Sequence, residues 1–376
     1  MAGYIFTLDN IESLNELILN GVYSTNLNVP LKNQWLIHHE GTFTDYLSMS
    51  EGDNVYFFIK RKIYGVGKLV NINGDCKHLN FPGADIPLTA KFPALKDKMI
   101  LNKSTFNLGN RFLCTFENAP YFFKTGIDMD DVLSSNPRAF KMLRVLSRLS
   151  FIKIDDVENK ALCDIILKTN ENEIANPKNI FSYSDKLHNR VKSLIDINYK
   201  VNANNILALA ANGSKMKHEM AIEAGIIDYI KNTTNNIFGD WDYLSHQVVA
   251  SPFKPVHYMD KMDIFGYRFI PSFTTISKYL TIEIKREVAD KEVINQLMKY
   301  VDWINHEYSF GDYSMIEAFV VAQDFPEEVV RLRNEAGKRT FVKGRHPAVT
   351  MHWSSLRLIK YIYNEHTKEL EFIEKE

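Results

Sequence analysis

The stretch that decides the fold of this 376-residue chain reads YMDKMDIFGYRFIPSFTTISKYLTIEIKREVADKEVINQLMKY, from Tyr258 to Tyr300. Two segments of alternating apolar and polar residues, Tyr258 to Ile270 and Lys278 to Arg286, flank a short loop of proline, serine and threonine. This pattern predicts two neighbouring β-strands. Apolar residues then recur at helical spacing from Asp290 to Ile304, which predicts a helix directly after the second strand.

Three charged side chains of this stretch are expected to meet on one face of the strand pair. Because side chains alternate between the two faces of a strand, Glu283 and Lys285 share a face, and the apolar residues beside them point the other way. Asp263 on the first strand can reach the same spot. Carboxylate oxygens bind divalent cations, which polarise a phosphoryl oxygen and lower the pKa of an attacking water. A neighbouring lysine can orient that water or neutralise charge on the phosphate.

The arrangement of Asp263 with Glu283-x-Lys285 resembles the PD-(D/E)XK nuclease superfamily. Gln296 and Tyr300, one helical turn apart, resemble the Q-x3-Y element of its RecB-like branch. The sequence pattern E-I-K-R…Q-L-x-x-Y is also similar to patterns in the C-terminal domains of NucS-type endonucleases and in nuclease domains of some phage-defence proteins. The resemblance implies an α/β core, a mixed sheet flanked by helices. One departure is that no proline immediately precedes Asp263.

The resemblance also implies a role for each residue of the motif. Asp263 and Glu283 would hold Mg²⁺ or Mn²⁺, with the Ile284 carbonyl as a further ligand, and Lys285 would position the water. The alternative is that Glu283-x-Lys285 is simply a solvated strand face, which is what most isolated matches are.

Further site residues are expected from two helices. Members of this superfamily often supply an additional acidic residue from the first core helix, here predicted from Lys215 to Lys231. Glu219 is the first choice and Glu223 the second, although the two can also form a solvent-exposed pair. Gln296 and Tyr300 would brace the catalytic lysine or touch the phosphate backbone.

Composition sets the broader limits. The chain is 45% hydrophobic and 24% charged, as in soluble globular proteins, and its formal net charge is −1. A nucleic-acid-binding function therefore requires local basic patches. Three widely spaced cysteines favour reduced thiols over disulfides or a zinc site. The sequence shows neither a signal peptide at its N-terminus nor an apolar run long enough to span a bilayer, so we expect a cytoplasmic protein without membrane contact.

The N-terminal part is predicted to be mostly β and barrel-like, with short strands separated by turns. One of these strands is expected from Gln34 to His39. The strings S-E-G-D-N-V-Y-F-F-I-K and Y-G-V-G-K-L-V resemble PUA-like or EVE-like modules over Tyr4 to Val70. Such modules commonly bind nucleic acids, and some hold a flipped modified base between aromatic side chains.

Two sets of residues are candidates for nucleic-acid contacts. In the N-terminal part, Trp35 and Tyr46 would stack on a base, and Lys60 and Arg61 would hold its phosphates. The alternative is that the aromatic side chains fill a barrel core. The second set lies in the most basic stretch of the chain, whose alternative interpretation is a solvated loop. Its predicted phosphate contacts are Arg339, Lys343 and Arg345.

The sequence thus predicts three parts: a recognition or sensor domain at 1–168, a linker with a connecting helix at 169–211, and a nuclease domain at 212–376. The expected activity is metal-dependent endonucleolytic hydrolysis of DNA, used in defence against foreign or modified DNA. A repair or structure-specific nuclease, an RNase, a ligand-activated nuclease and a non-catalytic nucleic-acid-binding protein remain alternatives. RNA is a further possible substrate, since it presents the same phosphates as DNA. A homo-oligomer would suit cleavage of both strands, although the sequence contains no heptad repeat that indicates a coiled-coil interface.

Overall fold

A computed structural model describes residues 1–29, 34–87, 91–145, 150–250 and 260–376. The described chain forms two compact units, the first comprising residues 1–39 and 45–202 and the second residues 40–44 and 203–376. The organisation is mixed α/β with several sheets, which confirms the general fold class predicted from the sequence. No helix of the described residues is long and apolar enough to cross a membrane.

The first unit is built on an eight-stranded sheet. Its strands are β1 Gly3–Thr7, β2 Val22–Tyr23, β3 Asn54–Ile59, β4 Lys62–Leu69, β5 Lys77–Leu79, β6 Phe112–Asn118, β7 Ile127–Asp128 and β8 Phe151–Ile154. The order is β2-β6-β4-β3-β1-β8, with β5 paired to β6 and β7 to β4. β1 and β3 are parallel, and the other pairs are antiparallel.

Six helices of the described residues begin in this part of the chain. They are α1 Ile11–Asn20, α2 Ile37–Leu47, α3 Phe92–Leu95, α4 Met129–Ser135, α5 Asp156–Thr169 and α6 Lys186–Leu194. The core beneath the sheet is rich in aromatic rings, and the ring centroids of Phe6 and Tyr23 lie 3.8 Å apart. Asn10 caps α1 by accepting a hydrogen bond from the Ser13 amide, as Asn does at many helix starts.

One prediction for the first unit is wrong. Residues 37–39 of the expected strand Gln34 to His39 lie in α2, because the apolar positions Phe43, Tyr46 and Leu47 follow at helical spacing and are buried. Residues 169–202 of the predicted linker lie within this unit. Val191 of α6 is buried in a cluster with Val22, and the segment before α6 bridges to Phe123 through Ile180.

The second unit is built on a six-stranded sheet with two short hairpins. Its strands are β9 Ala211–Asn212, β10 Lys215–Met216, β11 Tyr243–Val249, β12 Lys261–Phe269, β13 Ile276–Ile284, β14 Ile316–Ala322, β15 Arg339–Lys343, β16 Val349–Trp353, β17 Leu356–Asn364 and β18 Glu369–Lys375. Its helices are α7 Asn204–Ala210, α8 Glu219–Asn232, α9 Glu292–Glu307 and α10 Glu327–Ala336. The main sheet has the order β11-β12-β13-β14-β17-β18, and β9–β10 and β15–β16 are the hairpins.

The sheet of the second unit is mixed, and its connections explain why. β13, β14 and β17 are parallel, because α9 and then α10 return the chain to the same end of the sheet. The flanking pairs β11–β12, β12–β13 and β17–β18 are antiparallel. The predicted first strand of the opening stretch begins at Lys261, and its expected start at Tyr258 lies outside the described residues. The C-terminal residues Glu369–Lys375 form strand β18.

Candidate active site

Asp263 and Glu283 are neighbours across the β12–β13 strand pair. Ile264 lies opposite Ile282, so the next residues along each strand are Asp263 and Glu283. Asp263 Oδ2 accepts a hydrogen bond from the Ile284 amide at 2.8 Å, which fixes the aspartate against the strand that carries the glutamate. The structure therefore brings together the two carboxylates that the sequence predicts as metal ligands.

The Glu283 side chain is buried with only one of its two carboxylate oxygens hydrogen-bonded. It is 1% exposed, and Oε1 accepts a hydrogen bond from Lys285 Nζ at 2.7 Å. Oε2 is buried and has no hydrogen-bond partner among the described residues. A buried carboxylate oxygen without a donor carries an uncompensated desolvation cost. That oxygen is therefore available to a ligand that brings positive charge.

The pKa values of the charged groups follow from their burial and proximity. Desolvation raises the pKa of Glu283 to about 7, and the Lys285 ammonium only partly opposes this rise. Desolvation, followed by the charges of Glu283 and Glu223, raises the pKa of Asp263 well above its usual range. Burial acts to lower the pKa of Lys285, but the surrounding carboxylates outweigh it and the pKa is raised. One lysine thus does not restore the ordinary pKa values of these two carboxyls.

Helix α8 presents both of its candidate carboxylates to this region. Glu223 is 1% exposed, and burial raises its pKa. Its two oxygens accept hydrogen bonds from His246 Nδ1 at 2.9 Å and from Gln247 Nε2 at 2.8 Å. Glu219 Oε1 accepts the Arg286 amide at 3.3 Å. Both glutamates act to raise the pKa of Glu283, so each lies within electrostatic reach of the site.

His246 and Gln247 are site residues that sequence reasoning missed. Both lie on β11, where Gln247 sits between the pairs His246–Ile264 and Val248–Met262 and therefore opposite Asp263. Gln247 Nε2 also contacts Asp263 Oδ1, at 3.3 Å. The register of β11 against β12 depends on tertiary structure, so no local sequence signal marks these two residues.

Helix α9 contacts the strand that carries Asp263 through Tyr300, which in turn contacts Gln296. Gln296 Nε2 donates to the Tyr300 hydroxyl at 3.3 Å, and that hydroxyl donates to the Lys261 carbonyl at 2.7 Å. Desolvation raises the pKa of Tyr300 to about 12, which keeps the hydroxyl protonated as a donor. The described contacts fix the start of β12, and bracing of Lys285 by this pair stays a prediction.

The residues of the site fit a hard divalent cation through one pair of carboxylates. No group of three or more His, Cys, Asp or Glu side chains within the described ranges is already arranged to hold a metal ion. The fit therefore rests on Asp263 and Glu283, whose oxygens have the chemistry that Mg²⁺ and Mn²⁺ prefer, and above all on the unpartnered Oε2 atom of Glu283. The Ile284 carbonyl as a third ligand stays a prediction.

The C-terminal basic stretch is largely engaged with neighbouring carboxylates. Arg339 forms a bidentate pair with Asp302, with Nε–Oδ1 and Nη2–Oδ2 distances of 2.8 and 2.7 Å. Lys343 Nζ lies 2.9 Å from Asp312 Oδ2. Arg345 is exposed. Arg339 and Lys343, two of the three predicted phosphate contacts, thus form ion pairs within the unit. Arg345 is therefore the stronger candidate for a phosphate contact.

The aromatic side chains predicted to stack on a base are buried instead. Trp35 is 4% exposed and donates its indole N–H to the Asp85 carbonyl at 2.7 Å, and Tyr46 is fully buried. In this conformation neither ring offers a face to solvent, which favours the alternative that they fill the core. Lys60 and Arg61 form the tight turn between β3 and β4, and Arg61 pairs with Asp130 at 2.5 Å.

The first unit does contain a large polar cavity, of about 1180 Å³. Its walls include the end of β1, the segment after β2 and the residues before β8. Among the lining residues are Asp9, Tyr23, Thr25, Asn26 and Ser150. Neither Trp35 nor Tyr46 is among the residues that line this cleft.

Comparison with known proteins finds partial likeness to several solved structures. A repair endonuclease from Pyrococcus abyssi is 20% identical over 34% of this chain and 47% of its own, with a TM-score of 0.22. The EndoMS chain of a complex with double-stranded DNA is 16% identical over 42% of this chain and 47% of its own, with a TM-score of 0.22. A hypothetical protein from Leishmania major is 15% identical over 46% of this chain and 97% of its own, with a TM-score of 0.28.

These matches are limited in extent. This chain spans less than half the length of the Pyrococcus abyssi endonuclease and of the EndoMS chain. No family model and no curated protein matches the sequence.

Proposed function

We propose that the second unit is a metal-dependent endonuclease that hydrolyses phosphodiester bonds of DNA. The observation that carries this proposal is the Asp263–Glu283 pair: Asp263 is half-buried beside a buried Glu283, which has one unpartnered oxygen and Lys285 as its neighbour. Buried like charges are costly, and proteins keep them where they bind a cation or perform chemistry. A solvated strand face would not explain a glutamate that is 1% exposed.

Each residue has a role in this proposal. Asp263 and Glu283 would hold Mg²⁺ or Mn²⁺, which, when bound, polarises a phosphoryl oxygen and acidifies a water. Lys285 stays protonated beside the carboxylates and would orient the attacking water or neutralise charge on the phosphate. Glu219 and Glu223 would support the site from α8. Tyr300 would hold the start of β12, and with it Asp263, in register.

The target and the biological role belong to the same proposal. DNA is the proposed polymer, with the first unit as a recognition module, and removal of foreign or modified DNA is the proposed use. A repair nuclease would employ the same residues, and an RNase would meet the same phosphates. These roles therefore differ in the substrate that is cleaved, which a direct comparison of substrates resolves.

The decisive experiment incubates the full chain with matched unmodified DNA, base-modified DNA and RNA, in Mg²⁺, in Mn²⁺ and in EDTA. We expect metal-dependent cleavage of DNA that Glu283→Ala and Lys285→Ala abolish without loss of folding. Glu371→Ala is the matched control, because Glu371 is an exposed glutamate on β18 of the same sheet.

The outcomes separate the alternatives. Cleavage confined to RNA would replace the proposed substrate, and cleavage confined to modified DNA would specify it. Nucleic-acid binding by the full chain with no cleavage in either metal would favour a non-catalytic binding protein. Unchanged cleavage by the Glu283→Ala and Lys285→Ala variants would place the active site elsewhere.

A further inference from the structure

Gln247 adopts a backbone conformation that is rare for a residue within a β-strand. Its φ is +52°, in the left-handed region, although the residues on either side pair regularly with β12. For a residue with a side chain this region is disfavoured, because Cβ approaches the following carbonyl oxygen. Such strain persists only where surrounding structure enforces it, and it is concentrated at functional sites.

The Gln247 side chain joins two carboxylates of the candidate site. Its amide nitrogen lies 2.8 Å from Glu223 Oε1 and 3.3 Å from Asp263 Oδ1. An amide NH₂ has two hydrogens, so one group can donate to both acceptors. The bridge links the helix α8 to the strand β12 with a neutral donor, placed where two negative charges would otherwise face each other.

The same bridge completes the anchoring of Asp263. Oδ2 is held by the Ile284 amide at 2.8 Å, and Oδ1 is held by Gln247 from the opposite strand. Two donors on two different oxygens fix the plane of the carboxylate, and this plane determines which lone pairs face a metal. Outer partners of this kind orient ligating carboxylates and strengthen metal binding.

We propose that Gln247 is a positioning residue that orients Asp263 and Glu223 for metal binding, and that its strained backbone is retained for this purpose. This inference rests on the proposed function of the site. Gln247 itself touches neither metal nor nucleic acid in this scheme. Its contribution is the geometry of the two acidic side chains that it bridges.

Two substitutions separate the side chain from the backbone strain. Gln247→Ala and Gln247→Gly both remove the amide, but only glycine adopts a positive φ without steric cost. We expect both variants to bind Mn²⁺ about tenfold more weakly or worse, measured by calorimetry without nucleic acid. In metal-free buffer the melting temperature of Gln247→Gly should lie about 2–4 °C above that of Gln247→Ala. The reason is that glycine relieves the backbone strain at position 247, whereas alanine retains it.

Ser272→Gly is the matched control for strain. Ser272 also has a positive φ, of 70°, but it lies in the loop between β12 and β13, and its substitution should leave Mn²⁺ affinity unchanged. Cleavage assays then add a second readout: kcat should fall about tenfold in both Gln247 variants, whereas KM for DNA should stay within about twofold.

The outcomes distinguish this inference from the proposed function. A wild-type protein that binds Mn²⁺ but cleaves no nucleic acid, with weaker binding in both variants, supports the role of Gln247 and rejects the nuclease. A wild-type protein that cleaves, with Mn²⁺ affinity unaltered in both variants, overturns the role of Gln247 alone. Absence of Mn²⁺ binding by the wild-type protein overturns the inference as well.

Discussion

Asp263 and Glu283 lie next to each other on antiparallel strands, and the negative charge of Glu283 adds to burial in raising the pKa of Asp263. The pair is thus held together by the backbone register although its members repel each other when both are ionised. In folded proteins this arrangement needs a compensating positive charge. Lys285 supplies one, and the unpartnered Glu283 Oε2 leaves room for a second.

The first prediction concerns Asp263→Asn. The substitution keeps the shape of the side chain and its acceptor for the Ile284 amide, but removes one anionic ligand. At a metal concentration about 100 times the Kd, the wild-type protein should gain about 2.7 kcal/mol of stability, and the variant should gain almost none. Thermal unfolding with Mg²⁺, with Mn²⁺ and with EDTA measures this difference.

Glu371→Gln, on the exposed face of β18, provides the control for the same charge change away from the site. It should retain the full metal-induced stabilisation. An equal metal-induced shift in Asp263→Asn and wild-type protein would show that the metal does not bind at this aspartate.

The second prediction concerns Tyr300→Phe. The lost hydroxyl donates to the Lys261 carbonyl at 2.7 Å, two residues before Asp263 on β12. One such hydrogen bond contributes about 1 kcal/mol to stability. Because a small displacement of β12 misplaces the aspartate, cleavage should fall by about tenfold or more.

Tyr279→Phe is the matched control for this loss. The Tyr279 hydroxyl donates to the Tyr308 carbonyl at 3.3 Å, so its removal costs a comparable hydrogen bond elsewhere on the sheet. Denaturant unfolding should show similar losses for both variants, and only Tyr300→Phe should lose cleavage. Equal activity in the two variants would mean that Tyr300 has a structural role alone.

The third prediction separates Arg345 from Arg339. Arg339 is committed to Asp302, so Arg339→Ala should lower stability by less than about 1 kcal/mol, as for other partly exposed ion pairs, and leave nucleic-acid affinity unchanged. Arg345 is exposed, and Arg345→Ala should weaken binding uniformly across sequences and reduce the salt slope of log K by about 1. Binding titrations at several salt concentrations distinguish the two.

The candidate site shows how far sequence alone can lead. Strand alternation placed Glu283 and Lys285 on one face, and the structure places the two in contact at 2.7 Å. The position of Asp263 beside them followed from the neighbouring strand, since consecutive strands commonly pair. Gln247 was not predictable in this way, because its contact with Asp263 depends on the register of β11 and on a left-handed backbone.

The first unit shows what the same reasoning leaves open. Trp35 and Tyr46 are predicted to stack on a base, with filling of the core as the alternative, because aromatic side chains among basic ones are typical of nucleic-acid sites. Composition does not specify which way a side chain points, and α2 turns Tyr46 into the core. The helical spacing of Phe43, Tyr46 and Leu47 was the signal that indicated burial.

The fourth prediction tests that burial directly. Tyr46 is fully buried and its hydroxyl accepts the Thr25 amide at 3.1 Å, so Tyr46→Ala should lower the free energy of unfolding by about 3–5 kcal/mol. Tyr46→Phe keeps the ring and should cost about 1 kcal/mol. Tyr46→Phe should also bind nucleic acid as the wild-type protein does. A selective loss of binding in this variant, with stability retained, would restore the predicted role in base recognition.

The last prediction concerns the pH dependence of stability, through Glu158 at the start of α5. Desolvation, followed by the charge of Asp155, raises the pKa of Glu158 to about 8, although its Oε1 accepts the Lys141 and Leu143 amides. A carboxyl whose pKa is higher in the folded state contributes stability that is fully present below its unfolded pKa of about 4.5. That contribution is lost as the pH rises through about 8, since the folded state must then give up its extra proton.

Glu158→Gln removes this titration while keeping an acceptor for the two amides. Between pH 5 and pH 9 the wild-type protein should therefore lose up to a few kcal/mol more stability than the variant, because each unit of pKa difference corresponds to about 1.4 kcal/mol. Urea unfolding of both proteins across this range measures the difference in slope. Asp156→Asn, a neighbouring carboxylate with partly exposed surface, serves as the control and should follow the wild-type curve. Parallel curves for the wild-type protein and Glu158→Gln would mean that Glu158 is ionised in the fold at neutral pH.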